Sequence, residues 1–262
     1  MRAFTLAAMM KRPIAYVLLS LVAGTAMILN GPAGTGTGRA GEDQAAAPTV
    51  IELFTSQGCS SCPPADELLY EMASRDGVVA ISWHVTYWDY IGWKDPFATG
   101  WSTDRQTGYR GKFARGYVYT PQMVIDGEHD VVGSRRGEVK RAVSASRAAA
   151  PQRIKVNLDR DAASAELVVT FTPHRLDRSL DIWLVGYSGI HETKVSRGEN
   201  RGATLRNTHI ARTMHSLGTW DGADTTLRVP LPAHEDVAGF AVLLQEPDQG
   251  AIRGAAKLDL TS

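Results

Sequence analysis

Apolar and polar positions in the first part of the chain follow a strand–helix–strand pattern. Residues 49–56 (TVIELFTS) are β-branched and aromatic, which is typical of a strand. Residues 63–77 (PPADELLYEMASRDG) place apolar side chains at helical spacing, with two prolines at the start and a glycine at the end. Residues 78–85 (VVAISWHV) are almost all apolar and predict a strand inside a sheet. Together these segments predict a βαβ unit.

Weaker patterns follow up to residue 150. An aromatic, irregular segment leads into a predicted helix over 102–115. Residues 120–133 (TPQMVIDGEHDVVG) predict two short strands joined by an Asp-Gly turn. A final helix is predicted over residues 134–149, with Ser134 as its N-terminal cap.

The pattern changes at Pro151, which follows three alanines. Beyond it, turn-rich loops separate seven strand candidates: RIKVNLD, AELVVTFTP, LDIWLVGYSG, HIARTMHSLG, TTLRVPLP, GFAVLLQE and AIRGAAKLDL. Seven short strands without a strong intervening helix predict an antiparallel β-sandwich. We therefore expect an α/β domain over residues 48–150 and a β-sandwich domain over residues 151–262.

The first 47 residues predict export. Lys11 and Arg12 precede an apolar run of 16 residues, 14–29, and a membrane-spanning helix needs about 20. A basic start, a short apolar run and a following Gly-, Ala- and Thr-rich stretch are typical of a signal peptide and a flexible leader. An uncleaved anchor is the alternative. We expect the domains in the periplasm or outside the cell, without stable membrane insertion after cleavage.

Charge argues against one class of partner. The chain has 28 basic and 28 acidic residues, and the part beyond residue 47 carries a net charge of −2. A nucleic-acid-binding surface uses an excess of Lys and Arg to neutralise phosphates. We therefore expect no nucleic acid among the partners.

The chain has only two cysteines, and both lie in the segment TSQGCSSCPP. Cys59 and Cys62 stand between a predicted strand and the first turn of a predicted helix, where free N–H groups and the helix dipole stabilise a thiolate. A lowered thiol pKa makes a cysteine a nucleophile and a good leaving group. We interpret the pair as a catalytic dithiol: Cys59, at the exposed end of the loop, attacks, and Cys62 resolves the mixed disulfide.

Other uses of a Cys-x-x-Cys pair fit this context less well. A structural disulfide across so short a loop stabilises weakly, and haem attachment needs a His where Pro63 stands. A Cu(I) site formed by Cys59 and Cys62, with His84 or His129 as a further ligand, remains an alternative. A non-catalytic binding module is another. Dithiol exchange with a protein or small-molecule thiol or disulfide needs no dissociable cofactor.

Thr120 and Pro121 stand directly before a predicted strand, where a proline without an N–H group fits. Proline also forms cis peptide bonds most readily. A cis bond here would turn the Thr120 backbone toward the thiols, so we expect both residues to position the partner chain.

Several side chains between the predicted strands are further candidates. His84, at a strand end, is a candidate for proton transfer, or else an ordinary hydrogen-bonded histidine. The aromatic side chains of this region either line a peptide groove or pack against the sheet face: Trp83, Tyr87, Trp88, Tyr90 and Trp93. Of these, we expect Tyr87, Trp88 and Tyr90 to be partly exposed. The later segment SRGENRG is either a solvated loop with weak ion pairs or a contact onto the dithiol domain.

These motifs carry a resemblance. Strand, Cys-x-x-Cys, helix, strand and a Thr-Pro before a strand that ends in Asp-Gly together resemble the thioredoxin superfamily. The segments ELFTSQGCSSCPPADELL, HVTYWDYIGWKDPF, YTPQMVIDG and GENRGATL are similar to a secreted bacterial thioredoxin-like family catalogued as domain of unknown function 1223. The resemblance implies an exported protein with an α/β thioredoxin-like domain, and it implies no settled activity.

Two positions depart from the patterns that the resemblance implies. Thioredoxins carry a buried acid on the first strand, six residues before the first cysteine, and Leu53 stands there. Glu52 is adjacent, but strand alternation directs it to the other face, so the proton acceptor for Cys62 is unassigned. The family pattern has an acid where Thr86 stands, so any role for a carboxylate there passes to Asp89 or is absent.

Overall fold

The computed structural model describes residues 47–232 and 234–260, which belong to one compact unit. The predicted signal peptide and leader, except for Ala47, lie outside the described residues. Within the described part, no helix is both long and apolar enough to cross a membrane. The fold is mixed α/β, as the sequence predicts.

The first half has the predicted order of helices and strands. Its elements are β1 (Thr49–Thr55), α1 (Pro63–Ala73), β2 (Val78–His84), α2 (Gly100–Lys112), β3 (Gln122–Ile125), β4 (His129–Val132) and α3 (Arg136–Ala148). The four strands form a sheet in the order β2-β1-β3-β4. β1 and β2 are parallel, and the other pairs are antiparallel. The aromatic segment contains a 3₁₀ helix over Thr86–Ile91.

The second half is made of strands. They are β5 (Ile154–Asp161), β6 (Glu166–Phe171), β7 (Leu180–Tyr187), β8 (His191–Lys194), β9 (Thr204–Asn207), β10 (Ala211–Trp220), β11 (Thr225–Pro230), β12 (Gly239–Gln245) and β13 (Ile252–Asp259). All seven predicted strands are present. The β8–β9 hairpin was not predicted, because its polar segments HETK and TLRN show no apolar alternation.

The predicted sandwich differs from what the structure contains. The seven predicted strands form one continuous sheet in the order β10-β7-β12-β13-β5-β6-β11, rather than two separate packed sheets. This sheet curls, because apolar side chains of β5 and β6 meet those of β7 and β12 in one core. Alternating side chains along each strand supply that core.

The two faces of the first sheet pack against different partners. Ile51 and Leu53 of β1 lie on the face that packs under α1 and α3. Val50 and Phe54 lie on the opposite face, in a core that includes residues of β7, β10 and β12. The two halves that the sequence separates at Pro151 therefore share a hydrophobic core.

A buried ion pair lies in this shared core. The carboxylate of Glu52 accepts a hydrogen bond from Arg105 Nε at 2.6 Å and another from the Tyr109 hydroxyl. Arg105 Nη2 also donates to Gln245 Oε1 on β12 at 3.0 Å. The side chains of the charged pair are at most 1% exposed. Glu52 thus points away from α1, as alternation predicts, and joins β1, α2 and β12.

Replacing Arg105 by Met should lower the free energy of unfolding by about 3–5 kcal/mol, because the Glu52 carboxylate would stay buried without its cation. The matched control is Arg253→Met, which removes a partly exposed pair with Glu246 and should cost less than about 1 kcal/mol. Urea unfolding of both variants measures the difference. Similar losses in the two variants would contradict the special role of the buried pair.

Candidate functional site

The two cysteines lie at the start of α1. Cys59 and Cys62 form a disulfide, and the helix begins at Pro63, directly after Cys62. The Cys62 carbonyl accepts hydrogen bonds from the N–H groups of Ala65 and Asp66 at 2.8 and 3.1 Å. Chain segment 56–62, the disulfide loop, thus connects the carboxyl end of β1 to the positive end of the helix dipole.

The disulfide is enclosed. Cys59 and Cys62 are both fully buried, whereas Ser60 and Ser61 between them are exposed. The sequence predicts an exposed Cys59, and this expectation is wrong. The disulfide loop is contacted by the segment 195–203 between β8 and β9, here called the covering loop.

Three hydrogen bonds join the covering loop to the disulfide loop. The side-chain amide of Asn200 donates to the carbonyls of Gln57 and Cys59 at 2.9 and 3.0 Å. The Glu199 carboxylate accepts from the N–H group of Ser60 at 3.3 Å. The sequence allows the segment SRGENRG to be either a solvated loop or a contact onto the first half of the chain. In the structure it contacts the first half.

The predicted positioning residues lie beside the disulfide. The Thr120–Pro121 peptide bond is cis, as expected. The Ser61 hydroxyl lies 3.5 Å from the Thr120 carbonyl oxygen and 3.3 Å from Cys59 Sγ. The indole N–H of Trp88 donates to Thr120 Oγ1 at 2.8 Å. Ser61 therefore links the disulfide to the cis-proline turn, and Trp88 holds that turn from its other side.

A buried His–Asp pair lies behind the disulfide loop. His84 Nδ1 and Asp95 Oδ2 are 2.7 Å apart, and both side chains are fully buried. Burial opposes the imidazolium charge, but the Asp95 carboxylate outweighs this effect and raises the pKa of His84. Burial likewise opposes the Asp95 charge, but His84 lowers the pKa of Asp95. The pair is stabilised in its charged form.

The Asp95 carboxylate also shapes the surrounding loops. Asp95 Oδ2 accepts a hydrogen bond from the Gln57 N–H group at 2.8 Å, and Asp89 Oδ1 accepts one from the Asp95 N–H group at 3.1 Å. Asp89 therefore supports Asp95 in this structure. Thr86, the other position considered for an acid, hydrogen-bonds Thr103 instead. Asp95 itself was missed, because a single acid in an irregular aromatic segment gives no periodic signal.

Asp66 is a second buried acid near the thiols. It lies four residues after Cys62, on the same side of α1, and is only 5% exposed. Burial raises the pKa of Asp66 to about 7, an effect that the charge of His84 partly opposes. Among the described residues, Asp66 Oδ1 and His84 Nε2 have no hydrogen-bond partner. The sequence indicates only that Asp66 suits the start of a helix, so its burial was not foreseen.

The predicted groove aromatics are accessible to different degrees. Tyr87 and Trp88 are half-buried, and Tyr90 is 83% exposed. Burial raises the pKa of the Tyr87 hydroxyl to about 12, so this group keeps its proton at neutral pH. Tyr117, which the sequence did not single out, is 66% exposed and precedes Thr120 by three residues.

The candidate metal ligands are not brought together. His129 pairs with Ile125, at the end of β3 that lies away from Pro121, so it is distant from the disulfide. His84 hydrogen-bonds Asp95 through Nδ1, which leaves Nε2 without a hydrogen-bond partner among the described residues. In the part of the chain that the structure describes, no three His, Cys, Asp or Glu side chains form a group that could hold a metal ion.

The burial of Asp66 should make stability depend on pH. Its pKa of about 7 in the folded protein exceeds the ordinary value of 3.8, so the folded state holds this proton more tightly than the unfolded state. The stability that this preference contributes is fully present below pH 3.8 and is lost as the pH rises through 7. The side chain in Asp66→Asn stays neutral at every pH. The free energy of unfolding of this variant minus that of the wild type should therefore be larger at pH 8 than at pH 4, by roughly 2–4 kcal/mol.

Urea unfolding of the wild type and the variant at both pH values measures this change. The exposed Asp76→Asn is the control and should behave like the wild type at each pH. A difference between Asp66→Asn and the wild type that is the same at pH 4 and pH 8 would refute the shifted pKa.

Comparison with solved structures gives two similar chains. Protein AGR_C_4864 from Agrobacterium tumefaciens is 31% identical, with a TM-score of 0.73 over 84% of this chain and 98% of that chain. HBP35 of Porphyromonas gingivalis is 15% identical, with a TM-score of 0.59 over 82% of this chain and 76% of that chain. At the lower identity the likeness concerns the fold alone.

Among curated proteins there is no significant match. The family described as "Protein of unknown function (DUF1223)" matches residues 50–245. This range begins in β1 and ends with β12, so it includes both the disulfide loop and the covering loop. The chain therefore belongs to the DUF1223 family.

Proposed function

We propose that the protein is an exported thiol–disulfide oxidoreductase that acts through Cys59 and Cys62. One observation carries the proposal: the disulfide lies at the start of α1, next to the Thr120–Pro121 segment, and Ser61 contacts both. The sheet order β2-β1-β3-β4, with α1 and α3 packed on one face, supports a thioredoxin-like domain. The partner is a protein or a small molecule that carries thiols or a disulfide.

The proposed reaction transfers two electrons. A thiolate of the partner attacks Cys59 Sγ, the Cys59–Cys62 bond breaks, and Cys62 leaves as a thiolate. A second partner thiolate then attacks the partner sulfur of the mixed disulfide and releases Cys59. The protein gains two electrons, the partner forms a disulfide, and the reverse sequence oxidises the protein.

Two features favour the thiolate of this pair. The disulfide loop ends at the start of α1, where backbone N–H groups and the helix dipole favour negative charge. The Ser61 hydroxyl lies 3.3 Å from Cys59 Sγ and can donate a hydrogen bond to it. Both features stabilise the reduced state and make Cys59 a better leaving group.

Asp66 fits the proton transfer that accompanies this chemistry. Each reduced thiolate that becomes a thiol must take up a proton, and Asp66 lies one helical turn beyond Cys62. A pKa of about 7 lets this acid give or take a proton near neutral pH. In the reductive direction it would protonate the Cys62 thiolate, and in the oxidative direction it would accept that proton.

The reduction potential of the pair tests the proposal. Purified protein is equilibrated in thiol buffers of defined potential, and free thiols are trapped and counted. We expect a value between about −120 and −270 mV, the range of dedicated exchange proteins. A value below about −300 mV is typical of a structural disulfide and would overturn the proposal.

Replacing Ser61 by Ala should lower this potential by about 30 mV, which corresponds to a loss of 1.4 kcal/mol of thiolate stabilisation. The exposed neighbour Ser60 provides the matched control, since Ser60→Ala leaves the contact with Cys59 in place. The same equilibration measures both variants. Equal potentials in the two variants would show that the Ser61 hydroxyl does not stabilise the thiolate.

A further inference from the structure

The covering loop encloses the disulfide through a small set of contacts. Its Asn200 and Glu199 side chains make the three hydrogen bonds to the disulfide loop described above. Glu199 is exposed, and Asn200 is half-buried. Cys59 is fully buried, so a partner thiol has no direct path to its sulfur in this conformation, and these contacts hold the loop that carries it.

The covering loop joins the two strands of the β8–β9 hairpin, and these strands, the stem, are held in place by side-chain contacts. Gln57 Nε2 donates to Thr193 on β8 and to Asn207 on β9, each at 3.0 Å. Arg206, also on β9, donates to both carboxylate oxygens of Glu67 on α1 at 2.6 and 2.7 Å. The stem therefore stays against the first half of the chain, and movement that uncovers the disulfide must occur in the loop itself.

The tip of the covering loop has glycines on both sides. Gly198 and Gly202 have φ angles of +74° and +86°, a region that glycine adopts without steric cost. They bracket Glu199–Arg201, the part that reaches the disulfide loop. Backbone rotation at small loop residues is a common way to move a segment as a unit, so the tip can move while the stem remains in place.

The groups under the tip are backbone groups. Once Asn200 and Glu199 leave, the Gln57 carbonyl needs a donor and the Ser60 N–H group needs an acceptor, whereas the Cys59 carbonyl keeps its hydrogen bond from the Cys62 N–H group at 3.2 Å and can accept a second one. An extended polypeptide presents N–H and C=O groups along its length and can pair with all three. A small free thiol lacks such a backbone and leaves these groups to water.

We propose that Asn200 and Glu199 restrict the access of thiols to the disulfide by holding the tip of the covering loop closed. This inference rests on the proposed function for its biological meaning. The slow reduction of the closed form, however, is a property of the oxidised protein and is measurable whatever its physiological role.

The test compares two reductants of the oxidised protein. One is dithiothreitol, and the other is a reduced, unstructured peptide with two cysteines; both are used in large excess. Initial rates of disulfide loss are followed by acid quenching and mass spectrometry. Asn200→Ala should speed reduction by dithiothreitol about tenfold, the factor that corresponds to 1.4 kcal/mol. The rate with the peptide should rise by a similar factor, because both reductants react only after the same hydrogen bonds have opened.

Two further variants make the result specific. Asn200→Asp places a carboxylate against two carbonyl oxygens. It should raise the rate of reduction by dithiothreitol at least as much as Asn200→Ala does. Arg197→Ala alters an exposed side chain of the same loop, with no hydrogen bond to the disulfide loop among the described residues, and should match the wild type. Thermal unfolding of each oxidised variant verifies that the fold is retained.

The outcomes separate this inference from the proposed function. Unchanged rates in folded Asn200→Ala and Asn200→Asp would overturn the inference, and so would acceleration with only one of the two reductants. A reduction potential below about −300 mV would overturn the proposed function alone. Acceleration with both reductants would support control of access, whatever the value of the reduction potential.

Discussion

The buried ion pair between Glu52 and Arg105 is the contact on which the arrangement of the two halves depends. It places a charge of each sign inside a core, where neither is tolerated without the other. Its hydrogen bond to Gln245 extends the pair into the curled sheet. Because β1 is fixed in this way, the loop that leaves its carboxyl end meets a hairpin from the second half, and the disulfide is enclosed.

The sheet thereby separates two kinds of buried charge. On the face toward the curled sheet, Glu52 has a permanent cation as its partner, which suits a structural role. On the other side, Asp66 lies near His84, a partner whose own charge can change, so the protonation of this acid responds to its surroundings. The second arrangement can exchange protons near neutral pH, and it lies beside the cysteines.

Much of this architecture could be predicted from local sequence patterns. The βαβ unit, the seven strands and the cis Thr120–Pro121 bond depend on neighbouring residues, and the structure has all of them. The burial of Cys59 and the hydrogen bonds of Asn200 to the disulfide loop could not be predicted, because they depend on residues that are far apart in the chain. Asp95 and the β8–β9 hairpin escaped prediction for the same reason, since their role comes from distant contacts.

The shared core also has a consequence for how the protein matures. The core on the face of β1 that carries Val50 and Phe54 is completed only when β12, near the end of the chain, has been synthesised and has docked. Such long-range contacts form slowly and leave apolar surface open in the meantime. The covering loop likewise arrives late, so the two cysteines remain open to cellular oxidants while the chain folds. We therefore expect the disulfide to form before the covering loop docks onto the disulfide loop.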